Sequence, residues 1–129
     1  MRTGLAIAWG VLLLGLAAAH PPPRTNPREL LRLQGHPGTV TPPATATPLV
    51  LVALGSEHAF AASEVRTFGF ADVPPTEPPP GTRFVLQGAR DVLARYAAAR
   101  PDQTVTILAE HRPGSSDLFI LTLDLCPPR

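Results

Sequence analysis

Histidines are the residues of this chain best suited to holding a metal ion, and the chain has four of them. If an N-terminal segment is removed after Ala19, His20 becomes the first residue, and its amino group and ring nitrogen can together bind copper. His36, His58 and His111 are the candidates for a further ligand. The sequence therefore offers, as an alternative function, an exported copper-handling protein that uses His20 with His58 or His111.

Two further pairs combine a carboxylate with an imidazole, the side chains that bind zinc. Glu57 precedes His58, and Glu110 precedes His111. Neither pair has the spacing of a recognised zinc site such as H-E-x-x-H. Polar residues at strand ends explain both pairs more simply, so we expect no metal site and no cofactor.

The serines do not form a recognisable catalytic motif. Ser56 and the pair Ser115 and Ser116 are predicted to lie in loops, and the sequence contains no G-x-S-x-G turn. A catalytic triad depends on the spatial arrangement of three side chains, which the mere presence of serine, histidine and aspartate in the sequence does not establish. We therefore expect a protein that is not an enzyme.

Cys126 is the only cysteine of the chain. An unpaired cysteine in an exported protein indicates an intermolecular disulfide or a free thiol, and free cysteines often behave as small buried apolar side chains. Three alternatives thus stay open: a buried thiol, a disulfide that would make a homodimer, and a reactive or metal-binding thiol.

The first residues predict export. A basic Arg2 is followed by the uncharged run 4–19, which ends in three alanines, as a signal peptide with an A-x-A cleavage site requires. The alternative is an uncleaved membrane anchor, although the run is shorter than the roughly 20 apolar residues that span a bilayer. We expect a secreted or periplasmic protein that meets a membrane only if this segment is retained.

Charge argues against nucleic-acid binding. The chain carries 11 basic and 10 acidic side chains, so removal of residues 1–19, which include Arg2, leaves a formal net charge of zero. A neutral chain has no electrostatic attraction to phosphate backbones.

Proline divides the remainder of the chain. Residues 20–48 hold eight prolines, a density that disfavours helices and central strands, so this arm is predicted to be mostly disordered. A short helix is predicted within it, beginning near Asn26 and Pro27 and ending at Gly35, with Leu30, Leu31 and Leu33 on its apolar side. Five further prolines between 74 and 80 predict an exposed, stiff loop over 71–82.

Between and after these stretches the pattern predicts strands and one helix. The apolar run 49–54 and residues 64–70 and 82–87 read as strands. Residues 88–100 read as a helix, because Val92, Leu93, Tyr96 and Ala97 recur at helical spacing.

The C-terminal part predicts a β-hairpin. Residues 104–111 alternate with Val105, Ile107 and Ala109 on one face, a Pro-Gly turn follows, and residues 118–126 form the second strand. On this second strand, alternation predicts residues 119, 121, 123 and 125 on one face and Cys126 on the other.

These elements predict an α+β fold, a small domain of about five strands with one main helix packed on an antiparallel sheet. The predicted organisation is a signal peptide, a proline-rich arm, one domain and a tail, over residues 1–19, 20–48, 49–126 and 127–129. The predicted function is a small exported, non-enzymatic binding or interaction module whose partner is an unidentified protein or envelope component.

Overall fold

Strands dominate residues 28–38, 44–70 and 72–126, the part of the chain that the computed structural model describes. Six strands and one short helix follow one another along the chain: β1 Glu29–Pro37, β2 Thr47–Ala53, β3 Ser56–Gly69, β4 Arg83–Gln87, α1 Arg90–Ala97, β5 Thr104–His111 and β6 Asp117–Cys126. The predicted signal peptide, His20 and the tail 127–129 lie outside the described residues.

The six strands close into a barrel in the order β1-β3-β2-β4-β6-β5. Four contacts are antiparallel, and the two that involve β4, with β2 and with β6, are parallel. Alternate residues of each strand point inward and fill the interior with leucine, phenylalanine and β-branched side chains, which include Leu31, Leu33, Leu49, Leu51, Phe60, Phe84, Leu86, Val105, Ile107 and Leu118.

The α+β prediction is wrong, because the sheet is closed on itself and no main helix covers an open face. Strand β1 closes it by pairing with β3 on one side and β5 on the other. This strand lies inside the stretch predicted as a mostly disordered arm. Pro27 precedes it and Pro37 is its last residue, so residues 29–36 keep every amide N–H that a ladder needs.

The helix predicted near residues 27–34 is also wrong. Leu31 and Leu33 are buried whereas Arg32 and Gln34 are partly exposed, which is the period of a strand and not of a helix. Gly35 is no helix terminus either. It lies at a β-bulge between β1 and β3, where a Cβ on Gly35 would overlap the carbonyl oxygen of Ala61.

Several local predictions are confirmed. Residues 49–54 fall largely in β2, 64–70 in the end of β3, and 82–87 in β4. The helix predicted over 88–100 is α1, with Leu93 and Tyr96 buried. Strands β5 and β6 form the predicted hairpin, and its turn is type II: the Ser115 amide donates to the Arg112 carbonyl at 2.9 Å, and Gly114 has a φ of 88°.

The faces predicted for β6 hold for only part of the strand. A bulge opposite Leu108 and Ala109 leaves Leu121 without a partner on β5, and one extra residue moves every later side chain to the other face. Leu118 and Leu123 are therefore both buried although their spacing is odd, and Leu121 is 50% exposed.

Helix α1 covers one end of the barrel. Leu93 and Tyr96 project from it into the core cluster, and Arg95 donates to the carbonyl oxygen of Leu123 on β6 at 3.0 Å. At this end lie the last residue of β2 and the first residue of β3, which pair with each other as Ala53 and Ser56. No helix of the described residues covers the opposite end, and the candidate functional site lies there.

Candidate functional site

The uncovered end of the barrel is incomplete on one side. Strand β2 begins at Thr47 opposite Ala62, so residues 64–69 of β3 pair with β1 and not with β2. The proline-rich loop, residues 72–82, lies beside the start of β2 and contains no helix or strand, as predicted for a loop here. It is fixed there by the Gly81 amide, which donates to the Pro48 carbonyl at 2.6 Å.

A pocket of about 510 Å³ lies beneath this loop. We call it the barrel-end pocket. Its lining comes from the start of β1, the proline-rich loop, the start of β4 and the β5–β6 turn: Glu29, Leu31, Thr76, Glu77, Pro78, Pro79, Thr82, Arg83, Phe84, His111, Gly114, Ser115 and Ser116. This volume is in the range of pockets that hold small molecules or single side chains.

Glu29 and His111 form a hydrogen-bonded pair in the wall of the pocket. They are direct neighbours across β1 and β5, and Oε1 of Glu29 lies 3.0 Å from Nδ1 of His111. The Glu29 residue is only 1% exposed. The rings of His111 and Phe84 pack edge to face, with their centroids 5.3 Å apart.

Both ring nitrogens of His111 are engaged. Nε2 of His111 is 2.7 Å from the carbonyl oxygen of Ser115, and since a carbonyl oxygen can only accept, Nε2 carries a hydrogen. Nδ1 of the same ring faces Oε1 of Glu29.

One oxygen of this pair has no partner. Oε2 of Glu29 is buried and makes no hydrogen bond with any described residue. Buried carboxylate oxygens are normally satisfied by donors, because losing water without replacement is costly. This unpartnered acceptor belongs to a residue that lines the pocket, and neighbouring atoms cover it.

A second pair of polar side chains lies under α1 at the covered end. The rings of His58 and Tyr96 meet edge to face, with centroids 5.6 Å apart. Nε2 of His58 and the hydroxyl of Tyr96 are buried and have no partner among the described residues. Burial raises the pKa of the Tyr96 hydroxyl well above its ordinary value, because the charged phenolate is poorly solvated there.

The histidines proposed as copper ligands are not brought together. His58 lies near α1 and His111 lies in the barrel-end pocket, and both ring nitrogens of His111 already bond Glu29 and Ser115. Within residues 28–38, 44–70 and 72–126, no three His, Cys, Asp or Glu side chains are grouped so as to hold a metal ion. The one other histidine of this part, His36, bonds the Gln103 carbonyl at 2.9 Å.

The adjacent Glu-His pairs do not chelate either. Successive side chains of a strand point to opposite faces, so each glutamate points away from its histidine. Glu57 bonds Arg83 and Glu110 bonds Arg28 on the outside. The reading of both pairs as surface polar residues therefore holds for the glutamates but not for the histidines, since Nε2 of His58 is buried and His111 lies in the pocket wall.

Ser115, which lies near His111, hydrogen-bonds with the backbone and is not arranged as a nucleophile. Ser115 presents its carbonyl oxygen to His111, and its hydroxyl oxygen accepts a hydrogen bond from the Asp117 amide at 3.0 Å. The serine hydroxyl therefore caps the start of β6. This arrangement differs from a nucleophile–base pair, in which the imidazole accepts the hydroxyl hydrogen.

Cys126 is exposed at the end of β6, opposite Thr104. The alternative of a buried thiol is therefore wrong. The intermolecular disulfide and the reactive thiol stay predictions, and the exposure is compatible with both.

No protein-family model, curated protein or solved structure matches this chain. Among the described residues, no helix has both the length and the apolar character needed to cross a membrane.

Sequence reasoning missed the residue that defines the pocket. Glu29 falls within the helix predicted near residues 27–34, whereas in the structure it continues the inward-facing series of Leu31 and Leu33. The signal that could have revealed it is that same period of two, which places an acidic side chain at an inward position. No pattern in the sequence indicates that His111, 82 residues away, is its partner.

Proposed function

We propose that this protein is a small exported binding module, and that the barrel-end pocket receives a small chemical group of its partner. The observation that carries the proposal is the buried Oε2 of Glu29, which lacks a donor in the wall of an otherwise well-formed pocket. The export half of the proposal rests on the predicted signal peptide.

We propose binding and not catalysis because of the way His111 is held. A general base needs a ring nitrogen free to accept a proton from the substrate. In His111, one nitrogen donates to a backbone carbonyl and the other is hydrogen-bonded to Glu29. Such a ring is suited to orienting Glu29 and supporting the β5–β6 turn.

The partner proposed here is a secreted or envelope protein. The chain without residues 1–19 would be formally neutral, so nucleic acid is the least favoured class of partner. A homodimer linked through Cys126 is compatible with a separate pocket ligand, because Cys126 lies opposite Thr104 and the pocket lies beyond the other end of β5.

The copper-handling alternative remains a prediction that no described contact favours. It requires His20, and of its two candidate co-ligands His111 is already bonded at both nitrogens. N-terminal sequencing of the exported protein followed by copper titration tests it. Copper that binds no tighter than to a form lacking His20 would eliminate this alternative.

A nuclear magnetic resonance titration of the full chain tests the binding proposal. Three blocked amino acids serve as probes: N-acetyl-argininamide, its neutral isostere N-acetyl-citrullinamide, and the anionic N-acetyl-glutamate amide. We expect at least one probe to shift the amide signals of the proline-rich loop and the β5–β6 turn at millimolar concentration.

A matched pair of variants provides the control. Ser116→Phe places a ring at the pocket wall, and Thr122→Phe places the same ring at an exposed position of β6. Binding should be lost only in Ser116→Phe. If no probe shifts the pocket signals, or if both variants bind alike, the pocket is not a binding site.

A further inference from the structure

We propose that the group received by the barrel-end pocket is a basic side chain of the partner, a guanidinium or ammonium that donates hydrogen bonds to Glu29 and Glu77. This inference rests on the proposed function and names the ligand class of the same site. Its basis, among the described residues, is a buried acceptor without a donor on Glu29 and a carboxylate without an ion pair on Glu77, both in the lining of the pocket.

Three backbone donors near the pocket are used within the protein. The Gly81 amide bonds the Pro48 carbonyl at 2.6 Å, the Thr82 amide bonds the Pro79 carbonyl at 3.2 Å, and the Ser115 amide bonds the Arg112 carbonyl. An anionic ligand would need such amides, and these three cannot serve it without breaking a turn.

Two of the loop residues that line the pocket bring no amide donor. Pro78 and Pro79 line the pocket and have no N–H, so their backbone can only accept. Glu77, between Thr76 and Pro78, is exposed and makes no ion pair with a described residue. The loop thus presents a free carboxylate and carbonyl oxygens to the pocket.

Two donors of the lining are directed at protein groups. Nε of Arg83 bonds Glu57 on the outside of the barrel at 2.9 Å, and both nitrogens of His111 are bonded, to Glu29 and to Ser115. Oε2 of Glu29 is an acceptor nine-tenths and more buried, with no donor among the described residues.

A basic side chain matches this environment in shape as well as in charge. Leu31, Phe84 and Pro78 provide apolar wall on which the aliphatic stem of arginine or lysine can pack while its head bonds carboxylates. Oε2 is covered when the pocket is empty, so binding includes a local shift of the side chains above it.

Calorimetric titration of the full chain with N-acetyl-argininamide and N-acetyl-citrullinamide tests the inference. The two probes differ in charge and donor strength but hardly in shape. We expect the arginine probe to bind at least about tenfold more tightly, since hydrogen bonds to charged groups are the stronger ones.

Three variants locate the contact. Glu29→Gln should weaken the arginine probe by about 30-fold or more, as expected for a buried charge partner. Glu77→Gln, an exposed rim position that will not affect folding, should weaken it by about two- to fivefold. Asp124→Asn removes an exposed carboxylate from β6, away from the pocket, and should change nothing.

The outcomes separate the inference from the proposed function. If the citrulline or glutamate probe binds the pocket as tightly as the arginine probe, the ligand class is wrong and the binding module stands. If no probe binds there, both fail. If Asp124→Asn weakens binding as much as Glu77→Gln, the probe is attracted by surface charge alone and the inference is overturned, even if Glu29→Gln proves too unstable to measure.

Discussion

Replacing Tyr96 by phenylalanine should stabilise the protein. Tyr96 is 1% exposed, its ring packs in the core cluster, and its hydroxyl has no partner among the described residues. A buried hydroxyl without a hydrogen bond costs about 1–3 kcal/mol, whereas the phenylalanine ring preserves nearly all the packing. We therefore expect Tyr96→Phe to raise the free energy of unfolding by about 1 kcal/mol.

The contribution of the Tyr96 ring to the free energy of unfolding provides the matched comparison for Tyr96→Phe. Tyr96→Ala removes the ring that fills the covered end of the barrel and leaves a cavity, for which large-to-small core substitutions cost about 3–5 kcal/mol. Urea unfolding followed by circular dichroism measures both variants. If Tyr96→Phe is instead destabilised by 1 kcal/mol or more, roughly the worth of a hydrogen bond, the hydroxyl has a partner and the reasoning fails.

An alkaline titration gives an independent test of the same burial. Tyr96 is the only tyrosine of the chain, so the tyrosinate absorbance band reports this residue alone. Burial raises the pKa of Tyr96, so the folded protein keeps the proton at pH values where the unfolded chain, with a pKa near its ordinary value of about 10, has lost it.

The sign of the pH effect follows from this difference. The folded state binds more protons than the unfolded state above pH 10, so the free energy of unfolding falls by about 1.4 kcal/mol per pH unit there. Below pH 10 the contribution is fully present. Tyr96→Phe should lack this slope, and absorbance that rises near pH 10 while the circular dichroism stays native would refute the burial argument.

Four shorter predictions concern other parts of the molecule. Gly35→Ala should lower the free energy of unfolding by about 2 kcal/mol or more, because the added Cβ meets the Ala61 carbonyl, whereas Gln34→Ala should change it by less than about 0.5 kcal/mol; equal effects would contradict the bulge. The Cys126 thiol should react with a labelling reagent in the folded protein as fast as in urea, and slow labelling would contradict its exposure. Mass spectrometry of the non-reduced exported protein should show twice the chain mass if Cys126 links two chains, and the single mass after reduction. Exported protein should also lack tryptophan fluorescence, since Trp9 is the only tryptophan and lies in the segment predicted to be removed.

Local sequence patterns predict most of the strands and the helix correctly, but they do not predict how these elements pair. Alternation in 104–111 and helical spacing of Leu93 and Tyr96 gave the right element types, because each face is decided by neighbours close in sequence. Closure of the barrel depends on β1, whose partners are residues 60–69 and 105–111. No local pattern encodes such pairing.

The incorrect predictions about the residues of the site also arise because strand pairing joins residues that are far apart in the sequence. The leucines of β1 fit a helix almost as well as a strand over so short a segment. The nearby prolines are also typical of a disordered segment and not of a strand. The bulge at Leu121 likewise reversed the facing of later residues, because one inserted residue has no sequence signature when the residue is leucine. Glu29 and His111 became a pair only through the register of β1 with β5.

The position of β1 in the barrel also orders events during synthesis. Glu29 is made before its neighbour His111, which lies 82 residues later, so the ring of strands cannot close until β5 has been made. Long-range pairing of this kind makes folding slow relative to local structure. During synthesis the sheet therefore stays open until β5 and β6 are both available.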